Sequence, residues 1–245
     1  MTIEVPVKRS YGRSVEQIRP VSIAPNALPQ AEGSAYIKMG DTHVICTATV
    51  EERVPGWMKG KGRGWITAEY AMLPRATSER TKRESREGKQ GGRTVEIQRL
   101  IGRAIRAGVD LEKLGERQII LDCDVIRADG GTRCAAITGA WVALALACRR
   151  LMDEKRLRAY PIVNQIAALS VGVVNGVPMV DLDYREDSRA DVDVNVVMTD
   201  KAEYVEIQGT AEASPFSFGT LEEMMVLAST GLDELFAKQR EAIGE

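Results

Sequence analysis

The clearest alternation of apolar and polar positions runs from Ile119 to Val125, where every second residue is apolar. A period of two predicts a β-strand. Gly130 and Gly131 then predict a turn. The stretch from 135 to 148 is almost wholly apolar, which predicts a buried helix beginning near Thr132 and ending near residue 154.

A second glycine pair precedes another predicted helix. Gly91 and Gly92 stand before a segment from about Arg93 to Val109, whose apolar residues recur at helical spacing: Ile97, Leu100, Ile101, Ala104, Ile105 and Val109. The start of a helix has free backbone N–H groups and a partial positive charge, so it attracts anions.

Both predicted helix starts also carry a threonine and an arginine. Thr132 and Arg133 open one helix, and Arg93 and Thr94 open the other. A guanidinium can donate two hydrogen bonds to one phosphate. We therefore predict a phosphate site on which Arg93 and Arg133 converge. The alternative is that the glycine pairs form only turns and the arginines are only surface charges.

The remaining periodic segments predict an antiparallel architecture. Hairpin turns are expected at residues 40–41 and 175–176, and the last helix is expected to start at a capping box, Thr220 to Glu223, and to end near Ala242. Residues 1–20 are expected to form an irregular arm. The predicted strands are 33–51 (two strands), 119–125, 166–174, 177–184, 191–199 and 204–209. The fold class is therefore α+β, as a single domain 1–245 with two similarly ordered halves, about 1–157 and 158–245.

Composition limits the possible chemistry and location. The chain has 245 residues, a net charge of −2, four cysteines and one histidine. No C-x-x-C pair occurs, so buried free thiols in a reducing compartment are expected. The first twenty residues lack a signal peptide, and no apolar run suggests a membrane span. These features predict a cytoplasmic protein. His43 lies in a predicted strand, which argues against histidine-based triads and zinc sites.

The segment from Arg53 to Arg93 is strongly basic. It carries eleven Lys or Arg residues against four Glu, whereas the remainder of the chain is acidic. Such a localised field suits a polyanion. Arg75, Arg80 and Arg83 lie in a polar part of it, and residues 60–64 look like a glycine-rich loop. The alternative is a solvated loop with no specific partner.

Five aspartates fall between Asp181 and Asp193. Asp191 and Asp193 share one face of a predicted strand, and Asp187 lies in the preceding turn. Clustered carboxylates repel one another unless a cation lies between them, and Mg²⁺ prefers oxygen ligands. The alternative is that these residues cap turns and protect an edge strand.

Several longer motifs point to a family: GWITAEY (64–70), MLPR (72–75), GRT (92–94), EIQRLI (96–101), DCD (122–124), ADGGTR (128–133), EDS (186–188) and VEIQGT (205–210). In these motifs, and over nearly its whole length, the chain resembles the bacterial ribonuclease PH family of phosphorolytic 3′-to-5′ exoribonucleases. The resemblance implies a ribosomal protein S5 domain 2-like fold, with helices packed on antiparallel strands in two similar halves. It also implies a homohexameric ring built as a trimer of dimers.

The resemblance implies a catalytic set of Arg93, Thr132, Arg133, Asp187 and Asp193. Phosphate would be bound by Arg93, Gly131, Thr132 and Arg133, Mg²⁺ by Asp187 and Asp193, and tRNA by Arg75, Arg80 and Arg83. Inorganic phosphate would be the co-substrate. The enzyme that the resemblance implies would trim the 3′ ends of tRNA precursors and other RNAs. It would release nucleoside 5′-diphosphates in a reversible reaction.

Two residues depart from the family pattern. Cys134 stands where Thr is expected, and Arg185 adds a positive charge beside the expected metal ligands. Two other functions stay open. One is a hydrolytic, metal-dependent nuclease that uses only the aspartates, and the other is a non-catalytic RNA-binding subunit of a ring.

Overall fold

The computed structural model describes residues 8–86, 88–212 and 214–245. Within these ranges the chain forms nine strands and five α-helices. They are β1 Val21–Pro25, β2 Gly33–Met39, β3 Thr42–Glu51, β4 Trp65–Met72, α1 Gly92–Ala107, α2 Leu111–Leu114, β5 Gln118–Arg127, α3 Thr132–Asp153, β6 Ile166–Val174, β7 Val177–Val180, α4 Tyr184–Asp187, β8 Val192–Thr199, β9 Tyr204–Ala211 and α5 Phe218–Ile243.

The strands form two sheets. The first has the order β1-β2-β3-β5-β4 and the second has the order β7-β6-β8-β9. Helix α3 packs against β2, β3 and β5 of the first sheet and against β6 of the second. One hydrophobic core therefore joins the two sheets. The predicted α+β class, with mainly antiparallel strands covered by helices, is confirmed.

Strand β4 was not predicted, and its pairing differs from the expected pattern. It lies parallel to β5, whereas the other strand pairs are antiparallel. Parallel neighbours need a crossover connection, and the segment with α1 and α2 supplies it. One parallel pair therefore stands within a mainly antiparallel architecture. The parallel pairing brings the end of β4 beside the end of β5, where the glycine turn begins.

The two helices predicted to follow glycine pairs are confirmed. Helix α1 has 16 residues with Gly91 as its N-cap, and its predicted apolar face is buried. Helix α3 has 22 residues and begins at Thr132. By length and composition α3 could cross a membrane, with a mean hydropathy of 1.4, but 83% of that apolar window is buried inside the protein. A buried core helix meets the same criteria, so this length and hydropathy are only weak evidence for a membrane span.

Two predicted boundaries were also wrong. The strand expected to reach Tyr184 ends at Val180, because Asp181 has a φ of 54° and the short helix α4 follows. Helix α5 begins before the predicted capping box, since the Ser217 hydroxyl caps it by accepting the Thr220 N–H at 3.1 Å.

The described part of the N-terminal arm, residues 8–20, is irregular as predicted apart from one 3₁₀ turn. Residues 1–7 lie outside the described residues. The arm is not a loose polar segment, however. Arg9, Arg13 and Arg19 are each less than 10% exposed and pair with carboxylates of the second half.

Candidate functional site

A cleft of about 1880 Å³ is lined by residues from both sheets and from the starts of α1 and α3. The five residues predicted to be catalytic all line it: Arg93, Thr132, Arg133, Asp187 and Asp193. They come from α1, α3, α4 and β8, so the fold gathers groups that are up to 100 positions apart in the sequence. Gly131 lines the same cleft.

The turn between β5 and α3 requires glycine. Gly130 and Gly131 have φ values of 75° and 67°, in the left-handed region that side chains disfavour. A Cβ on Gly130 would also lie 2.6 Å from the Leu182 carbonyl oxygen. The glycine pair therefore lets the chain turn sharply while it packs directly against the segment that leads into α4.

Two residues from the first part of the chain hold this turn. The Thr42 hydroxyl donates to the Gly130 carbonyl at 2.6 Å and accepts the Asp129 N–H at 3.0 Å. The Arg19 guanidinium donates to the Asp129 carbonyl at 2.6 Å. The same guanidinium forms a paired contact with Asp181, at 2.6 and 2.9 Å. Side chains from the first part of the chain thus hold the turn in place.

Neither helix start in the cleft is closed by a side-chain cap. Gly91 caps α1 and Gly131 caps α3, and neither can supply a side-chain acceptor. The first N–H groups of a helix need a partner, which here can be an anion. Beside the start of α1, however, Glu84 Oε1 accepts the Gly91 N–H at 3.2 Å and the Thr94 hydroxyl at 2.7 Å. The anion-binding role of the two helix starts therefore stays a prediction.

Tyr70 orients the hydroxyl of Thr132. Its phenol donates to Thr132 Oγ1 at 2.9 Å, so the hydroxyl hydrogen of Thr132 remains available to another acceptor. Tyr70 is 5% exposed, and this burial raises its pKa. Because the phenol is held neutral, it acts as a donor at ordinary pH.

Arg133 is held by two neighbours. Its Nη1 donates to Gln208 Oε1 at 2.7 Å and to Glu96 Oε1 at 3.3 Å, and Gln208 Nε2 also donates to Glu96 at 3.1 Å. Within the described chain, Nη1 is the only side-chain atom of Arg133 that donates a hydrogen bond. Its Nη2 and Nε groups are therefore available to a ligand in the cleft.

The charges of Arg93 and Arg133 act on the same two side chains. Both Arg93 and Arg133 lower the pKa of Asp187, although burial raises it more strongly. Both also act on the Tyr70 phenol. Both arginines line the cleft, and their convergence on one anion stays a prediction.

The aspartate cluster divides into structural and cleft-facing members. Asp181 is buried and pairs with Arg19, which outweighs the cost of burial and holds the pKa of Asp181 below its usual value. Asp183 caps α4 in a capping box with Glu186. Asp191 accepts the Gly176 N–H of the hairpin at 3.3 Å. The alternative of caps and turns therefore applies to Asp183 and Asp191, whereas Asp181 is the partner of a buried ion pair.

Asp187 and Asp193 are the two aspartates that suit a cation. Asp187 is the last residue of α4 rather than part of a turn, and Asp193 lies on β8. Burial, followed by the charge of Asp187, raises the pKa of Asp193 to about 6. A cation between the two carboxylates would relieve this repulsion. Magnesium is often held by only two carboxylates together with substrate phosphates, so the pair fits it.

No larger metal site accompanies this pair. Among the described residues, no group of three or more His, Cys, Asp or Glu side chains is arranged to hold a metal ion. His43 lines the cleft, and its Nδ1 lies 3.1 Å from the Tyr36 hydroxyl.

The three arginines predicted to bind tRNA lie in the loop between β4 and α1. All three are exposed, but only Arg75 lines the cleft; Arg80 and Arg83 lie farther along the loop. The loop is tied to the sheet through Ala76, whose carbonyl accepts the Ala128 N–H at 2.9 Å. The structure therefore places Arg75 at the site and leaves the other two outside it.

The two departures from the family pattern also lie near the cleft. The Cys134 thiol is buried behind Arg133 and donates to Asn195 Oδ1 at 3.3 Å, and Asn195 Nδ2 donates to Asp193 at 3.4 Å. Burial raises the pKa of Cys134 to about 12, so it is a neutral thiol. Arg185 lines the cleft beside Asp187. All four cysteines are free and buried, as predicted.

Sequence reasoning gave no role to several residues that build the site: Arg19, Thr42, Tyr70, Glu96 and Gln208. Three of them, Tyr70, Glu96 and Gln208, lie inside motifs that carry the family resemblance, which is a signal that could have identified them. The partners Arg19 and Asp181 are 162 positions apart, and no local pattern connects them.

Comparisons with known proteins identify the family. The model of the 3′ exoribonuclease family matches in both of its parts, domain 1 over residues 17–149 and domain 2 over residues 164–231. Ribonuclease PH of Roseobacter denitrificans is 57% identical over 234 residues, covering 96% of this chain and 99% of that protein. Ribonuclease PH of Caulobacter vibrioides is 59% identical over 236 residues, with the same coverage.

Solved structures share the fold. A chain of the Archaeoglobus fulgidus exosome with RNA bound to the active site matches with a TM-score of 0.79 and 23% identity, covering 94% of this chain and 92% of that chain. Rice (Oryza sativa) Rrp46 matches with a TM-score of 0.76 and 18% identity, covering 95% and 98%. From both family matches and these two relatives, we conclude that the chain belongs to the ribonuclease PH family of 3′ exoribonucleases.

Proposed function

We propose that inorganic phosphate binds between Arg93 and the start of α3 and acts as the attacking group of the family reaction. The chain is a phosphate-dependent 3′-to-5′ exoribonuclease acting on tRNA, so it needs a site for phosphate next to the RNA 3′ end. The observation that carries the proposal is that Arg93 and Arg133 line one cleft and act on the same two side chains, Tyr70 and Asp187.

Each part of the proposed phosphate site supplies a donor. Arg133 has Nη2 and Nε available, the Thr132 hydroxyl keeps its hydrogen, and the glycine turn lets the backbone approach closely. Arg93 is exposed at the start of α1 and supplies the opposing charge. Such charge-assisted hydrogen bonds are about twice as strong as neutral ones. Together they hold the phosphate in one orientation.

The reaction exchanges one phosphorus–oxygen bond for another. An oxygen of the bound phosphate attacks the phosphorus of the last phosphodiester, and the bond from that phosphorus to O3′ of the preceding nucleotide breaks. The departing O3′ takes a proton from the phosphate or from water. The products are a nucleoside 5′-diphosphate and an RNA one nucleotide shorter. The attacking group is already an anion, so no strong base is needed. The phosphorus–oxygen bonds that are broken and formed have similar energies, so the reaction is reversible.

The carboxylates of Asp187 and Asp193 would hold Mg²⁺ in this proposal. When bound there, the ion would neutralise charge on the phosphoryl group that is transferred. Burial and, after it, the charge of Asp187 raise the pKa of Asp193, and a cation here would stabilise both carboxylates in their charged form. Asn195 donates to Asp193 and holds its carboxylate toward the cleft.

The proposal extends to RNA binding and assembly. Arg75 at the cleft, with Arg80 and Arg83 on the same loop, would hold the tRNA backbone through charge. The related solved structures include an exosome with RNA at its active site and an archaeal exosome core, which supports RNA binding within an oligomer. We propose a homohexamer built as a trimer of dimers, working in the cytoplasm.

The test compares RNA degradation with and without phosphate. A tRNA with extra 3′ nucleotides is incubated with the protein and Mg²⁺, and the mononucleotide products are identified. We expect nucleoside diphosphates that appear only with phosphate. Monophosphates released equally well without phosphate would instead indicate the hydrolytic nuclease, and no release of nucleotides would indicate a non-catalytic RNA-binding subunit.

A further inference from the structure

Arg19 lies directly behind the glycine turn, although it comes from the N-terminal arm. Its side chain is fully buried, and a Cβ on Gly131 would lie 3.1 Å from its Nη2. One edge of the guanidinium donates to the carbonyls of Asp129 and Gly130, at 2.6 and 3.4 Å. A single planar group therefore holds two successive peptide groups of the turn.

The contacts of Arg19 fix the direction of the N–H groups in the turn. In a trans peptide, the carbonyl and the following N–H point in opposite directions. Because the carbonyls of Asp129 and Gly130 point toward Arg19, the N–H groups of Gly130 and Gly131 point away from it. Within the described chain, neither of these N–H groups has a hydrogen-bond partner. They are therefore available to an anion.

The other edge of Arg19 connects the turn to the segment that carries Asp187. Arg19 forms a paired contact with Asp181, and its backbone N–H also donates to that carboxylate at 2.7 Å. Asp181 has a φ of 54°, which is uncommon outside glycine, so its backbone is held by these contacts. Helix α4 follows three residues later and ends at Asp187.

We infer that Arg19 is a positioning residue of the phosphate site. It orients the peptide groups from Asp129 to Gly131 and sets their distance from the chain that carries Asp187. Asp181 neutralises it within the core, so it acts through position rather than as a free charge. The inference rests on the proposed function, because it takes the glycine turn to be part of the phosphate site.

The test is the substitution Arg19→Lys. A lysine keeps the positive charge that Asp181 needs, but its single ammonium cannot replace a planar fork that holds a carboxylate and two carbonyls. Displacement of a positioned group by about 1 Å can cost up to roughly a hundredfold in rate. We expect the KM for phosphate to rise about tenfold or more, with the KM for RNA unchanged. The rise in unfolding temperature caused by phosphate without RNA should also be lost.

Arg9→Lys is the matched control. Arg9 is 4% exposed, belongs to the same arm and pairs with Glu186. It borders the cleft and donates to the Asp181 carbonyl at 3.2 Å, but none of its hydrogen bonds reaches the glycine turn. This variant should unfold at a lower temperature and keep the wild-type KM for phosphate. A general loss of stability would affect both variants alike, whereas loss of positioning affects only Arg19→Lys.

If Arg19→Lys does not fold, Thr42→Val tests whether contacts behind the glycine turn position the phosphate site. It removes the hydrogen bonds of Thr42 to the same turn without leaving a buried charge, and it should raise the KM for phosphate in the same direction. An unchanged KM for phosphate in the folded Arg19→Lys protein, or an equal rise in Arg9→Lys, would overturn the inference. If wild-type protein needs no phosphate at all, the proposed function fails instead.

Discussion

Replacing Arg133 by lysine separates the shape of the guanidinium from its charge. In the structure Nη1 is occupied by Gln208 and Glu96, at 2.7 and 3.3 Å, and this leaves Nη2 and Nε for phosphate. A lysine has one ammonium group for the same three acceptors. The charge in the cleft is unchanged, so general attraction of RNA is expected to remain.

The expected loss is about one charged hydrogen bond. Such a bond contributes roughly 1.5–3 kcal/mol, and each 1.36 kcal/mol corresponds to a factor of ten in rate. The side chain of Arg133 is only 13% exposed, so solvent does not greatly weaken the interaction. We therefore expect kcat/KM for phosphate to fall roughly 10- to 150-fold in Arg133→Lys.

The assay measures initial rates of nucleoside diphosphate release at a fixed RNA concentration while the phosphate concentration is varied. Arg103→Lys is the matched control. Arg103 lies in α1 and donates two hydrogen bonds to the Glu206 carboxylate, at 2.9 and 2.7 Å, but it does not line the cleft. Its substitution should leave the rates unchanged. A fall of less than twofold in Arg133→Lys, or an equal fall in Arg103→Lys, would refute the reasoning.

Three further predictions concern the donor to Thr132, the aspartate pair and the arginines of the loop between β4 and α1. Tyr70→Phe removes the donor at 2.9 Å that orients Thr132, and it should raise the KM for phosphate roughly two- to tenfold in the initial-rate assay; an unchanged KM would contradict this role. The raised pKa of Asp193, about 6, means that the folded protein keeps a proton that the unfolded chain loses, so without metal stability should fall as the pH rises from about 4 to 6. Asp193→Asn should remove that fall in thermal unfolding curves, together with any stabilisation by Mg²⁺, and an unaltered pH profile would refute the assignment. Changing Arg75, Arg80 and Arg83 together to Gln should weaken tRNA binding and make the plot of log K against log salt shallower by roughly 2–3; titrations with wild-type slope would rule out these contacts.

Local patterns were sufficient for the elements that bring the phosphate donors into place. The alternation in β5, the glycine pairs and the apolar faces of α1 and α3 depend on neighbouring residues, so the sequence alone indicates them. The starts of α1 and α3 were predicted correctly for this reason. Strand β4 was missed because its parallel partner β5 follows more than forty residues later, beyond any local signal.

The support of the site could not be predicted in the same way. The sequence does not distinguish the five aspartates of this segment from one another. Asp181 is recognised as an ion-pair partner only because the folded structure places Arg19 of the N-terminal arm beside it. Likewise, Gln208 becomes a partner of Arg133 only through the pairing of β8 with β9. Roles that depend on such distant contacts need the folded structure.

The most direct test of the central claim is a crystal structure of the protein with phosphate. We predict one phosphate ion in the cleft, bound by the guanidinium groups of both Arg93 and Arg133 and by the Thr132 hydroxyl. A phosphate ion bound to only one of the two arginines, or bound elsewhere while the cleft stays without it, would contradict the account.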